Sequence, residues 1–400
     1  MGLLEDADTL KSELIELRRA IHRDAEIGLD LPRTQEKLLA ALHGLPLEIT
    51  SGAAGLTSIV GVLRGRSRDR SVLLRADMDA LPMTERTGLD FASTNGAMHA
   101  CGHDLHCAML VGAARLLSAR RDELDGDVIF MFQPGEEGFD GAGRMLDAGV
   151  LDAAGQRPEA AYFLHVITST YPSGMVTVRP GPMLSAADSL RVTVVGAGGH
   201  GSSPHLAKDP IVVAAEIVTA LQSLITRQFD AFDPVILTVG SFHSGTQQNI
   251  IPVSATFEAT VRTFSPANQK AIADRAIRLC RGIADAHGLH TDVDWETLYP
   301  VTVNDPDEAT FLADAAVELF GSGAVKILDN PYTASEDFSR ILQEIPGAVA
   351  LLGATPANRD PATTASNHSP EAIFDEGVLS RGVALYTQLA IGRLRAPDKR

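Results

Sequence analysis

Within the nine residues Met98-His99-Ala100-Cys101-Gly102-His103-Asp104-Leu105-His106 the chain carries one thiol and three imidazoles. Cysteine binds metal as thiolate and histidine as neutral imidazole, and Gly102 leaves the backbone free to turn both heads toward one point. A lone Cys-Gly-His triplet lacks the second pair of a structural zinc module, so a surface loop with incidental histidines is the alternative. Further donors stand elsewhere: Glu136 and Glu137, His165, and His368 in Asn367-His368-Ser369-Pro370. Each ion wants about four donors, so a set of this size supports two ions only if one donor is shared. A thiolate such as Cys101 can bridge, with a solvent oxygen spanning a gap of ~3.5–4 Å.

Such scattered donors need a scaffold that gathers them. Leu10, Leu14, Leu17 and Ile21 recur at helical spacing and predict an opening amphipathic helix that ends near His22, itself read as structural. Three near-continuous apolar runs follow, Val72–Leu74, Val128–Phe132 and Ala161–Leu164, the pattern of strands covered on both faces in a mostly parallel α/β sheet. The first runs into Asp77-Met78-Asp79, the second into Pro134-Gly135-Glu136-Glu137, the third into His165. Open α/β sheets bind ligands at the carboxyl ends of their strands. Adjacent residues of an extended strand point opposite ways, so Glu136 and Glu137 can share a site only from a turn, and Pro134-Gly135 supplies the break.

From about Ser185 the pattern alternates. Strands around Leu190–Val194, Val235–Val239, Ala255–Val261 and Thr291–Trp295 are interleaved with a helix opened by Asp209-Pro210 and a second carrying Ile272, Ala276, Leu279 and Ile283. The order βαββαβ predicts an inserted ferredoxin-like α+β domain over residues 185–296, with the catalytic domain built from 1–184 and 297–400. In that topology we expect the loop carrying His200 and the loop carrying Asn249 to lie at opposite ends of the small sheet, which would require one of them to reach a partner subunit's site.

Length and composition agree with two domains: 400 residues, 45% of them apolar. A net charge of −17 argues against nucleic acid and against an anionic membrane surface. Three cysteines, Cys101, Cys107 and Cys280, make no disulfide framework, and the acidic start of the chain lacks the pattern of a secretory leader, so a cytoplasmic protein is expected. The apolar run Ala348–Leu352 is far shorter than the ~20 residues that span a bilayer.

The motifs together resemble the M20 metallopeptidases, in particular the amidohydrolase branch that includes hippurate hydrolases, N-acyl-amino-acid amidohydrolases and auxin-conjugate hydrolases. The resemblance runs through Leu17–His22, Arg75–Pro82, His99–Asp104, Gln133–Glu137, Gly198–His200, Asn249–Pro252, Ser335–Phe338 and His368–Pro370. It implies a dinuclear hydrolase with Cys101, His103, Glu137, His165 and His368 as metal ligands and Glu136 as general base. It also implies Asp79 orienting a ligand or the base, His200 polarising the scissile carbonyl, and Asn249 and Arg262 gripping the substrate carboxylate or amide. The inserted domain would mediate a homodimer. Zinc suits these mixed donors, and manganese, cobalt or nickel could occupy them according to supply. Asp77 holds a position that is a ligand histidine elsewhere in the family. His99 and His106 are read as supporting groups, Cys107 and Cys280 as core residues.

The expected substrate is an N-acyl amino acid, with a dipeptide as the alternative within the family. Two rivals lie outside that reading: Cys101 as a nucleophile activated by histidine, and a catalytically silent metal-binding dimer. Two departures from the family pattern, Ala25 in place of proline and the lack of aromatic residues after Phe338, bear on a helix exit and on the pocket walls.

Overall fold

The computed structural model describes residues 2–396. The chain divides into two compact units: Met1–Met183, Val303–Asn330 and Arg340–Arg400 form the first, Leu184–Thr302 and Pro331–Ser339 the second.

The first unit is built on an eight-stranded sheet in the order Leu47–Ser51, Ile59–Leu63, Asp127–Gln133, Ser71–Asp77, Ala160–Pro172, Gly347–Thr355, Val176–Val178, Val325–Ile327. The middle four run parallel, and antiparallel pairing appears toward the edges. Every residue of Ser71–Asp77, Asp127–Gln133 and Gly347–Thr355 is buried, which explains their unbroken apolar character. The Gly347–Thr355 strand is the run that sequence reading set aside as too short for a membrane. Helices His103–Ala119 and Leu379–Arg395 pack on the central strands, and the opening helix Leu3–Arg23 packs on both helices.

The register fixes where donors leave the sheet. Asp77 pairs with Gln133, so Asp79 and the turn at Glu136 emerge side by side. His165 departs from expectation: it lies inside a long strand rather than beyond its end. Gly347–Thr355 pairs with that strand as far as Pro172, while the opposite neighbour, Ser71–Asp77, stops pairing at Arg75 and Phe163. His165 therefore stands just past the point where one neighbour has left the ladder.

The second unit has a four-stranded antiparallel sheet, Val235–Ser244, Ser254–Thr263, Ala187–Val195 and His290–Tyr299, with helices Pro210–Gln228 and Pro266–Ala286. Chain order and sheet order together make it ferredoxin-like. Asp209 caps the first helix by accepting from Ile211 N at 2.9 Å. That helix is long and apolar enough for a membrane span by length and composition alone, but Val213, Ala214, Ile217, Leu221 and Leu224 are buried in the core it shares with the sheet.

Two expectations are corrected here. The inserted unit extends past 185–296, because His290–Tyr299 stays paired to Ala187 through Tyr299 and because Ser185 N bonds Tyr332 O and Ala334 O at 3.1 and 2.9 Å, drawing Pro331–Ser339 into the unit. The loops of His200 and Asn249 share one end of the sheet. Val195, the last residue of its strand, pairs with Ser254, the first of its own, and the short ribbon Gly199–His200 pairs with Ile250–Ile251. The Gly201 N to Asn249 O bond is 2.8 Å. The first two strands of a βαβ run the same way, so the turns that follow them sit together, and the argument for placing the two residues at opposite ends fails.

Candidate metal centre

Cys101, His103, Glu137, His165 and His368 all belong to the first unit, and their donor atoms converge. Two triads form, Cys101 with His103 and His165 and Cys101 with Glu137 and His368, each with its donor atoms within 4.8 Å of one another. Cys101 is common to both. Its Sγ lies 3.4 Å from His165 Nε2 and 3.3 Å from His368 Nε2, and His368 Nε2 is 3.1 Å from Glu137 Oε1. Glu136 is buried, with its carboxylate in a third group alongside His103 and Glu137.

Local backbone chemistry aims these groups. Gly102 adopts φ +84°, and a Cβ there would fall 2.3 Å from Val166 Cγ2, so only glycine lets Cys101 and His103 straddle the start of the His103–Ala119 helix. Asp104 in that first turn is held by Arg18 Nε at 2.6 Å and His22 Nδ1 at 2.7 Å, and His22 Nε2 reaches Glu85 at 3.1 Å. The opening helix thereby fixes the metal-binding loop. Gly135, at φ +76°, reverses the chain after Pro134, and residues 136–138 form the expected turn.

Asp79 accepts from Glu136 N and Glu137 N, one with each carboxylate oxygen, both at 3.0 Å. Its carbonyl accepts from His103 Nδ1 at 2.9 Å. His165 Nδ1 likewise donates to Val166 O at 2.8 Å. With Nδ1 committed in this way, both rings aim Nε2 at the cluster, free to bind a metal once its proton is displaced. His368 has φ +67°, a conformation of the sort that a surrounding structure must impose on a non-glycine residue. Here His368 N bonds Ala100 O at 2.9 Å, while Asn367 bonds Cys101 O, Val166 O and Thr168 N at 3.3, 3.0 and 3.0 Å.

The charges respond to this crowding. Burial pushes the Cys101 thiol up, but His165, His103 and His368 outweigh it and hold the thiol well below the ordinary cysteine value. Burial opposes a charge on His103, yet Asp77, Asp79 and Cys101 raise its pKa well above the usual histidine value. Bonds to Cys101 and Glu137 raise His368 to about 10. Burial and the Cys101 charge raise Glu137. In the metal-free protein, then, a thiolate is neutralised by imidazolium protons, and divalent ions would displace those protons. The residues fit such ions: His103 Nε2 is buried with no well-aimed hydrogen bond, and soft and borderline donors converge on it.

The remaining candidates sort clearly. His106 is buried, donates Nδ1 to Asp77 Oδ1 at 2.5 Å and accepts from Val166 N at 2.8 Å, and burial lowers its pKa to about 4. His99 is buried with neither ring nitrogen hydrogen-bonded among the described residues, and burial lowers it to about 3. Cys107 Sγ donates to Asp77 O at 3.1 Å, and burial pushes the Cys280 thiol up to about 12 in the second unit's core. His200, Asn249 and Arg262 all lie in the second unit. His200 Nδ1 accepts from Ser202 N at 3.1 Å, which leaves the proton on Nε2. Arg262 is half-buried, feels Asp188 as a charge, and makes no hydrogen bond among the described residues. Sequence reasoning gave no role to Asn367, Asp104 or Arg18. The signal available was position: Asn367 precedes a ligand candidate, and Arg18 and His22 lie one helical turn apart.

Comparison with known proteins agrees with this geometry. Residues 73–391 match peptidase family M20/M25/M40. Thermostable carboxypeptidase 1 of Saccharolobus solfataricus is 36% identical over 393 residues, 97% of this chain and 97% of its own. The hippurate hydrolase of Campylobacter jejuni is 32% identical across 99% of this chain and 100% of its own. A crystal structure of a Bacillus subtilis dinuclear metal-binding peptidase of the M20 family superposes with a TM-score of 0.82 at 30% identity, covering 98% of this chain and 100% of that one. The chain belongs to peptidase family M20/M25/M40, in its amidohydrolase branch. It is a metal-dependent hydrolase of amide bonds.

Proposed function

We propose that the protein cleaves the amide bond of an N-acyl amino acid, releasing a carboxylic acid and a free amino acid. In this reading Cys101, His103, Glu137, His165 and His368 would hold two divalent ions, zinc or manganese in the first instance, with Cys101 the residue common to both triads. The observation that carries it is the pair of triads meeting at one thiolate with the Glu136 carboxylate beside them. Two ions held there would bring the pKa of a water toward ~7 and draw electron density from the scissile carbonyl. Glu136 takes the proton of the attacking water on a carboxylate oxygen and delivers it to the departing nitrogen. Asp79 keeps Glu136 and Glu137 in one turn through their backbone N–H groups.

His200 presents an Nε2–H suited to a carbonyl oxygen. Arg262, with its guanidinium not hydrogen-bonded, suits the substrate carboxylate, and Asn249, next to His200, the amide. Because both loops share one end of the sheet, His200 and Asn249 are assigned to the same active site; Arg262, beside the Val261–Asp188 pair at the other end, would join them only from a second subunit, in a homodimer formed through this unit.

A peptidase reading is favoured by the similarity to thermostable carboxypeptidase 1, since a C-terminal peptide bond is also an amide beside a carboxylate. Metal-reconstituted protein assayed on acetyl-, benzoyl-, indoleacetyl- and succinyl-amino acids against the corresponding dipeptides separates the two. Glu136→Gln should lower turnover by about 10²–10⁴-fold while leaving metal content at the wild-type level. Retained turnover in that variant, or activity that survives chelation, would overturn the mechanism in favour of a cysteine nucleophile.

A further inference from the structure

Beneath the donor cluster lies a second layer, Arg75, Asp77 and His106, all fully buried. Asp77 holds a ligand position by sequence, but both its oxygens are committed, Oδ1 to His106 Nδ1 at 2.5 Å and Oδ2 to Arg75 Nη1 at 2.7 Å. Oδ2 also stands 3.5 Å from His103 Nε2. The His106 ring lies over His103, centroids 5.4 Å apart and planes within 29°, and meets His165 edge-on at 4.8 Å. Its Nε2 accepts from Val166 N at 2.8 Å, and the carbonyl of the same residue receives His165 Nδ1 at 2.8 Å and Asn367 Nδ2 at 3.0 Å. His106 thus joins the strand end carrying Asp77 to the backbone that orients His165, and its ring backs His103. The other triad is held differently: Asp79 and Ala100 O fix the Glu137 and His368 backbones, but among the described residues the Glu137 carboxylate and the His368 ring have no hydrogen-bond partner outside the donor set, and His368 is exposed on a loop.

Resting on the dinuclear reading above, we propose that His106 is a positioning residue which, with Asp77, braces His103 and His165, so that the two metal positions differ: an inner one at Cys101, His103 and His165 that binds first and tightly, and an outer one at Cys101, Glu137 and His368 that exchanges. Removing a group that orients a ligating histidine typically lowers metal affinity 10–100-fold.

The test is calorimetric titration of the full metal-free protein with zinc and with manganese, cross-checked by chelator competition and metal analysis. The wild type should load two ions in two phases. His106→Asn keeps a donor for Asp77 but cannot reach Val166, and should weaken the tight phase 10–100-fold while changing the weak phase less than threefold. His368→Ala should do the reverse. His106→Phe fills the ring's space without either hydrogen bond and should weaken the tight phase at least as much as His106→Asn. If it does not accumulate as folded protein, Asp77→Asn, close in shape, reads the same brace from its other end. An unchanged tight phase in these variants, or an equal fall in both phases, overturns the brace. Failure of the wild type to bind any divalent ion would instead sink the proposed function.

Discussion

At the scale of single residues, Asp79 shows how little of a side chain's role follows from its type. Its two oxygens serve two successive backbone N–H groups, and its carbonyl sets a histidine tautomer. Asparagine at this position offers one acceptor and turns an N–H₂ toward the other backbone donor. Asp79→Asn should therefore cost about 1–3 kcal/mol of stability in urea unfolding. By loosening the turn that carries Glu136 and Glu137, it should also lower kcat/KM by roughly 10–100-fold. Unaltered values of both would show that the turn holds without it. Of the candidate site, the donors were legible because thiols, imidazoles and paired carboxylates are scarce and follow closely on apolar runs or crowd into one short segment. The groups that orient them were not, because Asn367 and Arg18 act through backbone carbonyls and a buried aspartate far away in sequence, and no spacing rule encodes such pairings.

At the scale of elements, the opening helix is tied to the metal-binding loop through His22, set between Asp104 and Glu85. Burial disfavours its charge, but these two carboxylates prevail and raise its pKa above the ordinary 6.5. A folded value above the unfolded one gives stability that is whole below about 6.5 and is lost as pH rises through the folded value. His22→Gln should hence cost more stability at pH 6 than at pH 9 in denaturant titrations, and an equal deficit at both would contradict the linkage. Elements with strong periodicity were readable, and their ends were not. The strands Val235–Ser244 and His290–Tyr299 outrun the expected Val235–Val239 and Thr291–Trp295 because cross-strand partners keep pairing through residues whose own pattern is irregular, past bulges at Val239/Ser241 and Thr297/Tyr299. The position of His165 inside a strand likewise depends on where a neighbour stops, which no local pattern records.

At the scale of the whole molecule, the proposed homodimer would use the second unit, where Val235–Ser244 is an edge strand with Ile236, Thr238 and Phe242 exposed. Open edges invite pairing, and a lysine on an edge discourages it. Thr238→Lys should leave the fold intact and shift sedimentation from dimer toward monomer, and a wild type that sediments as a monomer would refute the assembly. The chain passes between the two units four times, at 183/184, 302/303, 330/331 and 339/340. The last two passages escaped sequence reading because Pro331–Ser339 is too short to carry a periodic signal. Their consequence is topological: each unit is sewn from separated stretches, so a single protease nick at any passage frees neither, and the severed pieces stay interleaved through shared sheets until a denaturant parts them.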